Sequence, residues 1–219
     1  MILLVTGTDT GVGKTVVTAA VAVLTEGLRV AVLKPAQTGT ALGDDDAATV
    51  RRLAGPGITT RTLARYPDPL APLAAARISR LPALTLDDTL AAVASLGEDH
   101  DLVLIEGAGG LLVPMGHGWT VADLAMQLDC PALVVARAGL GTINHTALTL
   151  EALERRRIEA YVAIGSWPAH PELVHRTNVD DLPGLCVGVV PEGVGEWPHA
   201  RFRARAAQWF TPEFRELLD

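Results

Sequence analysis

The sequence predicts an α/β fold in which helices cover both faces of a mostly parallel sheet. Short continuous apolar runs alternate with segments of helical length, and glycine-rich turns follow several of these runs. Strands that are buried on both faces have this continuous apolar pattern, whereas strands with one wet face alternate polar and apolar residues. The 219 residues, of which 49% are hydrophobic, are sufficient for one domain spanning residues 1–219.

Each predicted element has its own pattern. The apolar runs predict strands at residues 2–5, 29–33, 102–105, 132–136, 160–164 and 185–190. Helical spacing of apolar residues predicts helices at 15–24, 45–53, 85–96, 121–128 and 142–157, and a helical tail from about Ala200. Thr85 and Asp88 stand in capping-box order. The segment 55–82, which is rich in Pro, Ala and Arg, is interpreted as a loop over the site rather than a linker.

The charge balance is acidic and argues against nucleic-acid and membrane partners. Lys and Arg total 18 against 25 Asp and Glu, which gives a net charge of −7, so no broad basic surface is expected. No apolar run reaches the ~20 residues that span a bilayer, and the N-terminus lacks the cationic start of a signal peptide. Cys130 and Cys186 have no metal-ligand spacing and are expected to be reduced. We therefore predict a cytoplasmic protein.

A glycine-rich loop joins the first predicted strand to the first predicted helix. Gly7 to Thr15 (GTDTGVGKT) matches a phosphate-binding loop, except that Thr8 stands where the strict pattern has Gly. Backbone N–H groups and the helix N-terminus would hold the phosphates, Lys14 would reach the β and γ phosphates, and the Thr15 hydroxyl would ligate Mg²⁺. The fold is therefore predicted to be P-loop NTPase-like. The predicted nucleotide contacts in the loop are Gly11, Val12, Gly13, Lys14, Thr15 and Val16.

Acidic residues at two places are candidates for completing a magnesium site, because Mg²⁺ takes one or two carboxylates together with phosphate oxygens. Glu106 directly follows the buried strand 102–105. After it, Gly107, Ala108 and Gly109 leave room for a nucleotide or substrate to approach the backbone. The other candidate is the acidic triplet 44–46, which also suits the N-terminus of the following helix. From these patterns alone, the choice among Asp44, Asp45 and Asp46 stays open.

Only two of the 18 basic residues are lysines, namely Lys14 and Lys34. The second strand is predicted to end at Lys34, so that its side chain faces the crevice shared with the phosphate loop. Concentrated positive charge is what a site needs when phosphoryl charge develops during transfer. Both lysines are therefore predicted to be catalytic.

Four motifs, taken in order along the chain, resemble the dethiobiotin synthetase family. They are Gly7 to Thr15 (GTDTGVGKT), Lys34 to Gly39 (KPAQTG), Glu106 to Gly110 (EGAGG) and Gly141 to His145 (GTINH). The resemblance covers roughly residues 1–165 and implies a Mg²⁺- and ATP-dependent ring closure in biotin synthesis. In that reaction 7,8-diaminononanoate takes up CO₂ as a carbamate, ATP phosphorylates the carbamate, and the second amine displaces phosphate.

The resemblance also implies roles for individual residues. Lys14 and Lys34 would stabilise phosphoryl and carbamate charge. The implied magnesium ligands are Thr15, Asp46 and Glu106, with Asp45 as the alternative to Asp46. Thr10 and Thr38 would contact the reacting end of the substrate. The family segment that matches Gly141, Thr142 and Asn144 binds the substrate carboxylate across a homodimer interface, so a two-fold dimer with shared sites is expected.

The stretch 164–168 (IGSWP) departs from the family pattern, in which an Asn beside a basic residue reads adenine. We therefore hypothesise that the base site accepts CTP and other nucleotides besides ATP, with Trp167 as one wall. The predicted base contacts are Gly165, Ser166, Pro191, Glu192 and Gly193.

A regulatory ATPase of the deviant-Walker type is the alternative function. Such proteins usually carry a lysine near the start of the phosphate loop, where this chain has Asp9 or Thr10. The synthetase reaction suits the chain better, because a carbamate is already a nucleophile and the chemistry requires positioning and charge neutralisation. No Cys or His nucleophile is needed.

Overall fold

The computed structural model describes residues 1–25, 27–43 and 45–218, so the candidate Asp44 lies outside the described residues. Its strands are β1 (Ile2–Gly7), β2 (Val30–Gln37), β3 (Thr59–Arg65), β4 (Leu102–Gly110), β5 (Ala132–Ala136), β6 (Ala160–Trp167) and β7 (Leu185–Pro191). They form one sheet in the order β3-β2-β4-β1-β5-β6-β7, and every neighbouring pair is parallel. The predicted parallel α/β fold is confirmed.

Helices pack on both faces of this sheet. They are α1 (Lys14–Ala22), α2 (Asp46–Ala54), α3 (Pro72–Ser79), α4 (Leu86–Asp99), α5 (Val121–Leu128), α6 (Thr142–Glu154), α7 (Leu173–Asp180), α8 (His199–Ala206) and α9 (Pro212–Leu218). Alternate residues of a strand point to opposite faces: Leu3 packs with α1, α2, α8 and α9, whereas Leu4 packs with α4 and α5. Both layers are apolar, which explains why β1 has no polar residue before Thr6.

The second strand is longer than its sequence pattern predicts. Lys34 does not end β2; it pairs with Thr62, and the strand continues to Gln37 opposite Arg65. Among the described residues, β2 pairs with β3 and no longer with β4 beyond Leu33, so Pro35 is tolerated because its missing N–H is not needed on the other side. The longer strand still brings the Lys34 side chain to the carboxyl ends of β1 and β4.

The interpretation of segment 55–82 as a loop is wrong for most of its length. It contains β3 and α3, and only short connections remain irregular. The sequence of β3 is TTRTLAR, and most of its residues are partly or fully exposed, because this strand lies at the edge of the sheet. An edge strand lacks the continuous apolar run by which buried strands are recognised. The polar helix α7 was missed for a similar reason, since Asn178 is its buried residue.

The predicted helical tail is confirmed as α8 and α9, and Phe210 anchors the tail by bridging to Gly188 of β7. The helix predicted over 142–157 ends at Glu154, and the helix predicted over 15–24 ends at Ala22. Both cysteines are free; Cys130 is buried and Cys186 is half-buried. Within the described ranges, no helix has both the length and the apolar character needed to cross a bilayer.

Candidate active site

The phosphate loop connects β1 to α1 and has a backbone that only glycine accommodates easily. Gly11 and Gly13 have φ values of 73° and 96°, in the left-handed region that disfavours other residues. A Cβ on Gly13 would lie 2.5 Å from the carbonyl oxygen of Gly165. Because Gly13 is also the N-cap of α1 and brings no capping side chain, the first N–H groups of that helix are open to an anion.

A cavity of about 540 Å³ lies in front of this loop. The carboxyl ends of β2 and β4 and the residues 69–72 before and at the start of α3 complete its walls. Of the predicted site residues, the cavity brings together Thr10, Gly11, Gly13, Lys14, Thr15, Val16, Lys34, Thr38, Asp46, Glu106, Ala108 and Gly109. Val12 and Gly107 are buried and do not line it. Segment 55–82 thus contributes to the site through a short stretch only.

Lys34 is held between two carboxylates inside this cavity. Its ammonium lies 2.5 Å from Asp46 Oδ2 and 2.9 Å from Glu106 Oε1, and it also donates a hydrogen bond to the Gly107 carbonyl at 3.1 Å. Burial by itself lowers the pKa of Lys34, but the charges of Glu106 and Asp46 outweigh burial and raise that pKa above its ordinary value. Lys34 is therefore a permanently charged group at neutral pH.

Oxygen atoms from three elements meet around this lysine. Thr15 Oγ1 donates to Glu106 Oε1 at 2.8 Å, while Glu106 Oε2 is buried and has no hydrogen-bond partner. Burial raises the pKa of Asp46, but the charge and hydrogen bond of Lys34 more than offset burial, so the pKa is lowered. An orphaned carboxylate oxygen beside a second carboxylate and a hydroxyl is a donor set that suits a hard cation such as Mg²⁺.

The two aspartates at the start of α2 make different contacts. Asp45 is the N-cap, since its Oδ1 accepts the Ala48 N–H at 3.0 Å, and its other oxygen pairs with Arg65 at 3.2 Å. Asp46 instead contacts Lys34. Among residues 1–25, 27–43 and 45–218, no group of three or more His, Cys, Asp or Glu side chains forms a ready-made metal site, so a cation here would need ligands from the nucleotide or water as well.

Lys14 lies over the phosphate loop. Its ammonium donates to the Asp9 carbonyl at 2.8 Å. Burial, followed by the nearby charge of Lys34, lowers the pKa of Lys14 to about 8. An anion bound in the loop would add to the negative charge of Glu106, Asp46 and Asp9, which already favours the charged form of Lys14.

The predicted base-binding residues lie beside the phosphate loop, outside the cavity. A Cβ on Gly165 would lie 2.0 Å from the Val12 carbonyl oxygen, so β6 and the loop are in direct backbone contact there. The Glu192 N–H donates to the Trp167 carbonyl at 2.7 Å, which joins the ends of β6 and β7. Ser166, Glu192 and Gly193 are exposed.

The predicted carboxylate-binding segment also lies outside the cavity, at the first turn of α6. Gly141 is the N-cap with a φ of 91°, and Asn144 is exposed. Thr142 is buried, and its hydroxyl has no hydrogen-bond partner. Within one chain, the structure does not bring these three residues to Lys34.

The sequence did not predict the apolar lining residues Ala36, Pro69, Leu70, Ala71, Pro72 and Val113, nor two polar residues that contact the predicted ones. Gln37 is buried; its Oε1 accepts the Asp46 N–H at 2.9 Å, and its Nε2 donates to the Thr38 carbonyl at 3.0 Å. Arg137 pairs with Asp9 of the phosphate loop. Gln37 lies within the motif KPAQTG, which was a signal for it, whereas no motif marks Arg137.

The chain is similar to known proteins over most of its length. A family model described as an AAA domain matches residues 2–192. The ATP-dependent dethiobiotin synthetase BioD of Rhodococcus jostii is 55% identical over 95% of this chain and 94% of its own length. The ATP-dependent dethiobiotin synthetase BioD of Streptomyces avermitilis is 51% identical over 100% of this chain and 95% of its own length.

Solved structures with low sequence identity to this chain share its fold. The MinD cell division protein of Aquifex aeolicus matches with a TM-score of 0.53 and 17% identity, over 94% of each chain. A plasmid partition protein of Borrelia burgdorferi matches with a TM-score of 0.59 and 11% identity, over 95% of this chain and 96% of its own. At these identities the likeness shows a shared P-loop NTPase fold and nothing of function, so it does not favour the regulatory alternative. By its sequence identity to relatives over nearly its whole length, the chain belongs to the ATP-dependent dethiobiotin synthetase family.

Proposed function

We propose that this chain uses ATP to close the cyclic urea of dethiobiotin from 7,8-diaminononanoate and CO₂, as a ligase of biotin biosynthesis. The observation that carries the proposal is the position of Lys34, buried between Asp46 and Glu106 in the cavity onto which the phosphate loop opens. Membership of the dethiobiotin synthetase family supports the substrate assignment.

The reaction balances without a protein nucleophile. One amine of the substrate adds to CO₂ and loses a proton, which gives a carbamate. A carbamate oxygen attacks the γ-phosphorus of ATP and ADP leaves. The second amine then attacks the carbonyl carbon, phosphate leaves, and the amine releases a proton. Such phosphoryl chemistry requires positioned reactants and compensated charge, and these are what the cavity residues supply.

The phosphate loop and the two lysines divide this work. The N–H groups of residues 11–16 hold the phosphates, and Lys14 moves from the Asp9 carbonyl to the β and γ oxygens. Lys34 stabilises charge on the carbamate and on the moving phosphoryl group. Thr10 and Thr38, which line the same cavity, hold the reacting end of the substrate.

A magnesium ion fits the oxygen atoms gathered at this site. Thr15, Asp46 and Glu106 would hold it, and the orphaned Oε2 of Glu106 supports this assignment. When bound, Mg²⁺ would compensate the charge of the phosphate oxygens during transfer. Asp45 is not a ligand in this proposal, because capping of α2 and pairing with Arg65 already occupy its two oxygens.

The substrate carboxylate binds to Gly141, Thr142 and Asn144 of a partner protomer in a homodimer. The position of these residues outside the cavity of their own chain supports a shared site. Large apolar side chains are exposed around them: Leu140 is 85% exposed and Leu148 is 57% exposed. A second copy of the chain would cover this surface.

The base of the nucleotide lies against Gly165, Ser166, Pro191, Glu192 and Gly193, with Trp167 as one wall. Backbone contacts of this kind accept several bases, so CTP and other nucleotides serve beside ATP. The kcat/KM values with ATP, CTP and GTP test this part of the proposal. A preference for ATP above about 10³-fold, or ~4 kcal/mol, contradicts it.

Residues 1–219 act as one domain, in the cytoplasm where ATP is supplied.

The deciding experiment measures phosphate release with Mg²⁺, bicarbonate and ATP, with and without 7,8-diaminononanoate, and detects dethiobiotin by mass spectrometry. We expect substrate-dependent phosphate release that matches dethiobiotin one to one. If ATP is hydrolysed at the same rate with and without the diamine and no dethiobiotin forms, the proposal is contradicted and the alternative function as a regulatory ATPase is supported.

A further inference from the structure

The carboxylate of Asp9 places a negative charge in the loop that would bind a polyanion. Its Oδ1 accepts the Thr10 N–H at 2.7 Å, and its main-chain oxygen accepts the Lys14 ammonium at 2.8 Å. The hydrogen bond from Thr10, together with the charge of Arg137, lowers the pKa of Asp9. Asp9 is therefore ionised at neutral pH, and an ionised carboxylate repels phosphate oxygens.

Arg137 compensates this charge from outside the motif. It comes directly after β5 and donates to Asp9 Oδ2 through Nη2. The start of the phosphate loop is also tied to β5 by a 3.0 Å hydrogen bond from the Thr8 N–H to the Val135 carbonyl. Both contacts fix the first half of the loop to the end of one strand.

Folding stability does not account for the pair. The side chains of Arg137 and Asp9 are 41% and 50% exposed, and exposed ion pairs contribute little to stability. The Nε of Arg137 is buried without a hydrogen-bond partner, so this edge of the guanidinium lies against the protein while the side chain as a whole is partly exposed. Its placement is explained by the charge that it faces.

We propose that Arg137 is a positioning residue for the nucleotide: it neutralises and orients Asp9, so that the loop presents its N–H groups and Lys14 to the phosphates without a repelling carboxylate. This inference rests on the proposed role of residues 11–16 in phosphate binding. Because Arg137 immediately precedes the turn into α6, the pair also joins the phosphate loop to the proposed carboxylate-binding segment.

The test measures ADP binding in the presence of Mg²⁺ by calorimetry, at low and at high salt, for the full chain. We expect Arg137→Met to weaken binding about tenfold at low salt, and less at high salt because ions screen exposed charges. Arg137→Lys keeps the positive charge and should retain most of the affinity. The double variant Asp9→Asn with Arg137→Met removes the repelling charge and keeps an acceptor for Thr10, so it should recover affinity.

A matched control is Arg155→Met, because Arg155 forms an exposed ion pair with Glu151 at the far end of α6. It should bind ADP as the wild type does. Binding by Arg137→Met within twofold of wild type, or a double variant as weak as Arg137→Met, overturns the inference. A wild type that binds ADP no better than Lys14→Met overturns the proposed role of the loop itself, so the two failures are distinguishable.

Discussion

Lys34 Nζ lies 2.9 Å from Glu106 Oε1, and both side chains are almost completely buried. The same ammonium contacts Asp46. The lysine is thus the counter-ion of the two carboxylates that we propose as magnesium ligands. Because an ammonium and a divalent cation would compete for the same oxygens, binding of Mg²⁺ and the position of Lys34 are linked.

Replacing Lys34 by Met should therefore change both catalysis and metal-dependent stability. We expect turnover to fall at least ~10²-fold, as on removal of one group that stabilises developing charge. Without metal, the uncompensated carboxylates should lower the free energy of unfolding by about 3–5 kcal/mol. Mg²⁺ should raise the Tm of Lys34→Met by more than it raises that of the wild type, because the lysine no longer competes.

A double variant distinguishes the effect of unpaired charge on stability from the effect of altered packing. Lys34→Met with Glu106→Gln removes one of the two unpaired charges, so its Tm without metal should lie above that of the single variant. Near-normal turnover in folded Lys34→Met would remove this residue from the mechanism. Equal Mg²⁺-induced Tm shifts in variant and wild type would refute the competition.

Gln37 should affect the Mg²⁺ concentration that the enzyme needs for half-maximal activity. Replacing it by Met leaves the part-buried Asp46 N–H and Thr38 carbonyl without their present partners, which costs about 1 kcal/mol for each bond. Since the Asp46 N–H begins α2, the Asp46 carboxylate loses its fixed orientation. We expect the Mg²⁺ concentration for half-maximal activity to rise several-fold.

Asn178→Leu is a suitable control for Gln37. Asn178 is a buried amide that donates to the Ala138 carbonyl at 3.0 Å, on a helix away from the cavity. Its replacement should lower the Tm comparably and leave the magnesium dependence unchanged. If Gln37→Met lowers only the Tm, Gln37 has a structural role alone.

Sequence patterns predicted the phosphate loop, Lys34 and Glu106, because each directly follows a recognisable apolar run of a buried strand. They did not predict that β4 lies between β1 and β2. This order places Glu106 between Thr15 and Lys34, and it depends on tertiary packing rather than on any local pattern. The Arg137 contact was missed for the same reason, because 128 residues separate Arg137 from Asp9.

The two cysteines should differ in reactivity and in pH dependence. Burial raises the pKa of the Cys130 thiol to about 11, so about one molecule in a thousand carries the thiolate at pH 8. Cys186 is half-buried, and burial raises its pKa as well. Peptide mass spectrometry after iodoacetamide treatment should show Cys186 modified first. Modification of Cys130 should rise about tenfold per pH unit from pH 8 towards 10; a pH-independent rate would contradict this prediction.

The apolar surface at the start of α6 should be an interface between two copies of the chain. A charge placed there would be buried without a partner on association, which is strongly unfavourable. We therefore expect Leu140→Glu to shift the protein from dimer to monomer in sedimentation experiments. It should also raise the KM for the diamine, because the proposed carboxylate site comes from the partner.

Leu173→Glu provides the matched control for this substitution. Leu173 is 71% exposed on α7, and the proposed shared site does not include it. Its replacement should leave both the sedimentation behaviour and the KM unchanged. A monomeric wild type with full activity would contradict the shared site, since one chain does not bring Asn144 to the cavity that contains Lys34. A dimeric Leu140→Glu variant with unchanged KM would place the interface elsewhere on the surface.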